Sequence, residues 1–96
     1  MTIARHYILL ATQGRDDALS EALADLGGKV RRLKGCEGVE LMRDIDTPGR
    51  FVFIERWASV KAHRAGGRVL GKEAFAPVSA CLIGPPEGCY LKLLLE

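Results

Sequence analysis

The chain has 96 residues, 48% of them apolar and 27% charged, with a formal net charge of +2. That is the size of one small domain, apolar enough for a packed core and too apolar for a disordered segment. So slight a charge argues for neither nucleic acid nor an anionic membrane as partner, and no apolar run approaches the roughly 20 residues of a spanning helix.

The N-terminal stretch MTIARHYILLAT has no cleavage-site pattern and runs straight into a helix signal, so it reads as a strand over Ile3 to Thr12. Both of its alternating faces are largely apolar: Ile3, Tyr7, Leu9 and Ala11 on one, Ala4, Ile8 and Leu10 on the other. Such a strand is covered on both sides. His6 and Tyr7 point to opposite faces, so only one of them can enter a given pocket. QGRDD breaks the strand, with Asp16 or Asp17 as the expected helix cap. Leu19, Ala22, Leu23, Leu26, Val30 and Leu33 then form one apolar helical stripe that ends at Gly35. Gly27 and Gly28 interrupt it and mark a bend or a close approach to the sheet.

Cys36 to Ile45 alternates as a half-buried strand, DTPGR turns, and Arg50 to Trp57 forms the next strand, paired with its predecessor as an antiparallel hairpin. Ser59 is placed to cap a helix over VKAHRAGGRVLG. KEAFAPVSACL resumes helical character, with Pro77 kinking it or starting a fresh turn. IGPPEG is a loop, and Cys89 to Glu96 is a closing strand. The order strand, helix, strand, strand, helix, strand is the split βαβ or ferredoxin-like pattern. It is an α+β fold, a four-stranded antiparallel sheet with both helices on one face. The opposite face is also apolar, and a second copy is its expected cover, giving a homodimer joined sheet to sheet. The three cysteines have no CxxC or zinc spacing and read as reduced thiols of a cytoplasmic protein.

GCEGVELMRD, a turn, RFVFIERWAS and a following helix resemble the antibiotic biosynthesis monooxygenase-like (ABM) family of dimeric α+β barrels. The resemblance spans about Ile3 to Leu95. It rests on Gly35-Cys36 entering the second strand, Glu55 two residues before Trp57, and Ser59 opening the second helix. It implies oxidation of a phenol, anthrone or quinol by molecular oxygen, with neither metal nor flavin as cofactor, in a homodimer that binds a small aromatic substrate. That chemistry needs a substrate anion, donors aimed at its oxygen, and a dry site. The chain departs from the pattern in three places. It has no asparagine, Phe53 stands four residues before Trp57 where such an asparagine sits, and Gly66 stands where many members carry a histidine.

The candidate catalytic residues are therefore His63, Trp57 and Glu55, and the candidate substrate-binding residues are Tyr7, Phe53 and Phe75. Trp57 reads either as a core residue closing a strand or as a stacking wall. Glu55 shares a face with Phe51, Phe53 and Trp57. It reads as an ion-pair partner of Arg43, or of Arg56 in a second copy, or as a general base of raised pKa. His63 reads as a solvated helix residue or, turned inward, as the base. Tyr7 reads as core with its hydroxyl at an edge, and Phe75 as an apolar lid. The competing functional class is a non-catalytic small-molecule-binding or stress-responsive dimeric barrel. Haem degradation is disfavoured because the first strand lacks an asparagine. RNA binding, which shares the topology, is disfavoured because GRFVFIERW has Val52 and Ile54 where small residues belong and the sheet carries no basic stripe.

Overall fold

The structure, a computed structural model, describes residues 1–95. Four strands, β1 (Ile3–Leu10), β2 (Cys36–Arg43), β3 (Arg50–Trp57) and β4 (Glu87–Lys92), form one antiparallel sheet in the order β2-β3-β1-β4. Helix α1 (Asp16–Arg31) joins β1 to β2, and α2 (Val60–Leu70) follows β3. A 3-10 turn at Lys72–Phe75 and a four-residue helix α3 (Ala76–Ser79) lead to β4. This is the expected α+β, ferredoxin-like arrangement.

Strand alternation divides the sheet into two faces. The inner face carries Leu9 from β1, Phe51, Phe53 and Trp57 from β3, and Val39 from β2. It packs against Leu19, Leu23, Leu26 and Val30 of α1 and Val78 of α3. Among the described residues, one fully buried charged residue, Glu55, lies within this apolar layer, 3% exposed. The outer face carries Ala4, His6, Ile8 and Leu10 of β1, Val52 and Ile54 of β3, Met42 of β2 and Leu91 of β4. No helix covers it, and Leu10, Met42 and Leu91 stand exposed there.

The ends of the elements differ from expectation in several places. Helix α1 has no side-chain cap; Arg15 occupies the cap position, and Asp16 and Asp17 lie inside the first turn, where their charge still complements the helix dipole. The helix ends at Arg31, and Gly35, at φ 90°, makes the turn into β2. Strand β4 runs Glu87–Lys92 in place of Cys89 to Glu96, and Glu96 lies outside the described residues. The helical segment after β3 is divided at Gly71, whose φ of 81° is open to glycine and costly to other residues. Ser59 caps α2 as expected, its side chain accepting from the Ala62 N–H at 3.0 Å.

Candidate functional site: an acid–base cluster behind an apolar cavity

Position 66 fixes how α2 sits. A Cβ placed on Gly66 would lie 2.5 Å from Cη2 of Trp57, so only glycine lets the helix rest on the indole. His63 is one helical turn earlier and shares that face, so it turns inward with Gly66. The reading of His63 as a solvated residue is thereby corrected: its side chain is 16% exposed. The imidazole meets Trp57 edge to face, with ring centroids 5.5 Å apart. The histidine that many family members carry at position 66 has no room here because the indole fills it.

Trp57 is itself core, 1% exposed, and its polar end is occupied within the chain. The indole N–H donates to Glu55 Oε1 at 2.9 Å. Its closure of the strand end and its contact with the site are thus one feature. Glu55 does not pair within the chain with Arg43, one of the partners expected for it. Arg43 lies on the same face of the sheet but at its other end, over the Phe51 ring, where it meets Asp16 and Asp17; Arg56 lies on the opposite face and meets Glu40. Its neighbours are Trp57 and, at 3.7 Å, Nε2 of His63.

His63 bridges two tyrosines. Nε2 lies 3.2 Å from the Tyr7 hydroxyl and Nδ1 lies 2.7 Å from the Tyr90 hydroxyl. Each ring nitrogen therefore has a hydroxyl partner, and the two neutral tautomers differ in which hydroxyl donates. Strand register sets the arrangement: β1 places Arg5 directly between Glu55 on β3 and Tyr90 on β4. The Arg5 guanidinium stacks on the Tyr7 ring at 4.9 Å and the Tyr90 ring at 4.4 Å, and its buried Nε has no hydrogen-bond partner among the described residues.

Burial dominates the electrostatics. It pushes the Glu55 carboxyl above its ordinary range, against the opposing pull of the Trp57 hydrogen bond and the Arg5 charge. It pushes His63 down, helped by the charges of Arg5 and Arg64. Burial shifts both partners toward their neutral forms and so opposes an ion pair across the 3.7 Å approach, which is longer than a hydrogen bond. Burial also raises Tyr7, with Arg5 opposing it.

Beside this cluster lies a cavity of about 200 Å³ between the sheet and the α1–α3 side. Tyr7, Phe53 and Glu55, with the apolar neighbours Leu23, Phe75 and Val78, line it. The candidate wall residues Tyr7, Phe53 and Phe75 therefore share one cavity with Glu55. His63 and Trp57 stand behind that wall, reached through Tyr7 and Glu55. No open space separates His63 from Trp57. Arg5 and Tyr90 escaped the sequence reading. The signal for Arg5 was an arginine inside the inner-face row of Ile3, Tyr7 and Leu9; Tyr90 offered only its alternation within a short strand. Among the described residues no group of three His, Cys, Asp or Glu side chains is placed to hold a metal ion, and no helix is long and apolar enough to cross a membrane.

The chain is thus an α+β protein with a ferredoxin-like sheet, an apolar cavity on the helical side of that sheet and a tyrosine–histidine–carboxylate cluster at the cavity wall. The chain belongs to the antibiotic biosynthesis monooxygenase family, whose model matches residues 3–65. The match ends just past His63, so Phe75 and Tyr90 lie outside it. A protein of Bordetella bronchiseptica described as a candidate antibiotic biosynthesis monooxygenase superposes with a TM-score of 0.86 at 25% identity, covering 98% of each chain. Rv0793 of Mycobacterium tuberculosis superposes with a TM-score of 0.79 at 25% identity, over 100% of this chain and 98% of its own. SnoaB of Streptomyces nogalater, a cofactor-independent oxygenase, shares the fold with a TM-score of 0.83 at 15% identity, over 99% of this chain and 95% of its own. No functionally curated protein matches the chain.

Proposed function

We propose that the protein is a cofactor-independent monooxygenase acting on a small aromatic phenol or quinol bound in the cavity. The observation that carries this reading is the placement of Tyr7 and Glu55. Both line the apolar cavity, and both reach His63 from it, at 3.2 and 3.7 Å. A phenol bound there meets a carboxylate whose pKa burial has raised toward the operating range of a general base. The proton passes from the substrate hydroxyl to Glu55, or to the Tyr7 oxygen as Tyr7 gives its own to His63 Nε2. The resulting anion is electron-rich enough to react with oxygen. For a hydroquinone, one oxygen atom ends on a ring carbon as hydroxyquinone and the other leaves as water. The substrate supplies every electron, so the balance needs no further reductant.

The size of the cavity narrows the substrate. At about 200 Å³ it is smaller than the roughly 300–1,000 Å³ of ordinary ligand sites. One- and two-ring quinols and phenols fit this reading better than tricyclic anthrones. Oxygen uptake is the test, measured with chelator and without flavin on benzene- and naphthalene-diols, with an anthrone as the oversized control. Uptake is expected for the diols, with Glu55→Gln and His63→Gln reducing it by about a hundredfold or more. Uptake equal in wild type and both variants would refute the assignment.

One observation favours a second reading, a non-catalytic binder. Phe53 is buried in the cavity wall where a catalytic donor would stand, and offers no hydrogen bond. Saturable calorimetric binding of a diol with no oxygen uptake would establish that reading.

The outer face supports a homodimer formed sheet to sheet in either case. Its half-buried Ile8, Val52 and Ile54 adjoin exposed Leu10, Met42 and Leu91 with no helix above them. The three free thiols, Cys36, Cys81 and Cys89, are consistent with a cytoplasmic setting.

A further inference from the structure

We propose that the depression on the solvent side of α2, lined by His63, Arg64, Arg68 and Lys72, is a binding site for the phosphate group of a small molecule. The depression has a volume of about 520 Å³, and Gly67 and Gly71 complete its lining. It lies on the opposite side of His63 from the acid–base wall. Pairing of the sheets leaves it open, since α2 covers the inner face.

Three features of this depression point to an anion. Arg64 and Arg68 are four residues apart on α2 and repel as like charges, and Lys72, just past the break at Gly71, brings a third cation to the same depression. None of the three has an acidic partner at ion-pair distance among the described residues, although Arg43, Arg50 and Arg56 all have one. The helix dipole accounts for Arg68 in the last turn; Arg64, at mid-helix, lies 5.9 Å from the centroid of the Tyr90 ring, a contact that leaves its charge without an anionic partner. Gly67 is the third feature. Its neighbour Gly66 is required by the indole, whereas a Cβ on Gly67 would meet nothing within 4 Å. A glycine inside a helix weakens it, and here no contact of the chain requires one. A ligand approaching the backbone at Gly67 does.

A dianion answers all three. It screens the repulsion of the three cations, uses the planar donor forks of two arginines, and occupies the space over Gly67. A carboxylate, with one charge, would leave most of the repulsion in place. The patch is confined to one helix and its exit turn, too short for the backbone of a nucleic acid.

Occupancy would be felt by His63. The charged and titratable groups around its ring are Arg5 and Tyr7 from β1, Glu55 from β3, Tyr90 from β4 and Arg64 from its own helix. The two arginines disfavour its protonation, and a dianion beside them offsets that. The site therefore couples phosphate binding to the protonation of the residue that links both tyrosines to Glu55. It requires no turnover, so it stands or falls apart from the oxygenase reading.

Nitrogen-15 NMR titration of the full chain in a phosphate-free buffer tests it, with inorganic phosphate and adenosine monophosphate as probes and sodium chloride at matched ionic strength as control. Saturable shifts are expected at the Gly67, Arg68 and Gly71 amides, with the His63 titration midpoint moving upward. Arg68→Ala, at an exposed position, should weaken binding about tenfold. Gly67→Glu should abolish it without lowering the melting temperature, because the new side chain has open space and a better helix propensity. Tighter binding of the nucleotide than of phosphate assigns the site to a phosphate ester; equal binding assigns it to the free ion. Shifts no different from those in chloride, or binding that both variants leave intact, would overturn the proposal.

Discussion

The two faces of the sheet are built from the same four strands and have opposite characters. The inner face packs Phe51, Phe53 and Trp57, each at most 2% exposed, and admits one carboxylate among them. The outer face carries aliphatic side chains of middle size, half buried or exposed, and leaves them bare. Large aromatics on the inner face leave a small gap beside Tyr7 and Phe53, and that gap becomes the cavity. The outer face has, among the described residues, no buried charged group to match Glu55. Alternation along β3 makes the division: Phe51, Phe53, Glu55 and Trp57 point inward, while Arg50, Val52, Ile54 and Arg56 point outward. On the function proposed above, one face serves chemistry and the other assembly, and substitutions on them should fail in different ways.

The largest effect is expected from Trp57→Ala. It removes the largest buried side chain and leaves Glu55 without its donor. A loss of about 3–5 kcal/mol is expected for emptying such a site, read by chemical denaturation. A loss under about 1 kcal/mol would mean that the indole is not part of the core. Gly66→Ala attacks the same contact from above. Its Cβ would sit 2.5 Å from the indole, so a loss of about 1–3 kcal/mol from overpacking is expected, together with displacement of His63. The adjacent Gly67→Ala should stabilise, and equal effects at the two glycines would erase the distinction between them.

On the outer face, Ile54→Lys should change stability of the separated chain by no more than about 0.5 kcal/mol, as at other surface positions. Its expected effect is on mass: sedimentation should show a dimer for the wild type and a monomer for the variant. A monomeric wild type would remove the reason given for the apolar outer face.

Much of the inner face was legible in the sequence, because a period of two residues fixes which side chains of β3 point together, and the four-strand order followed from helix stripes and turn residues. The site was less legible for a physical reason. His63 meets Tyr7 across 56 positions and Tyr90 across 27. Those meetings depend on strand register and on the rotation of α2, which Gly66 sets by admitting the indole. A glycine has no side chain to signal such a contact, and Gly66 read as the place of an absent histidine. Arg5 was passed over because one charged residue within an apolar alternation looks like an interruption. The pairing of β1 with both β3 and β4 is what makes it the centre of a row.

The smallest effect, and the one that separates the two forms of the Glu55–His63 contact, is in the pH dependence of stability. Burial raises Glu55 above its ordinary value near 4.5 and lowers His63 below its ordinary value near 6.5. A raised folded pKa means a contribution fully present below 4.5 and lost as pH rises through the folded value. A lowered folded pKa means a contribution present above 6.5 and lost as pH falls through the folded value. Glu55 thus limits stability on the alkaline side and His63 on the acid side. Glu55→Gln keeps an oxygen for the Trp57 N–H and removes the titration, so its melting temperature at pH 8 should equal or exceed that of the wild type. His63→Gln should flatten the acid limb and leave the alkaline limb alone. If Glu55→Gln were instead less stable than wild type at pH 8, the carboxylate would be stabilising as an anion. The 3.7 Å contact would then be an ion pair with a protonated His63, and Glu55 would be a structural partner in place of a base.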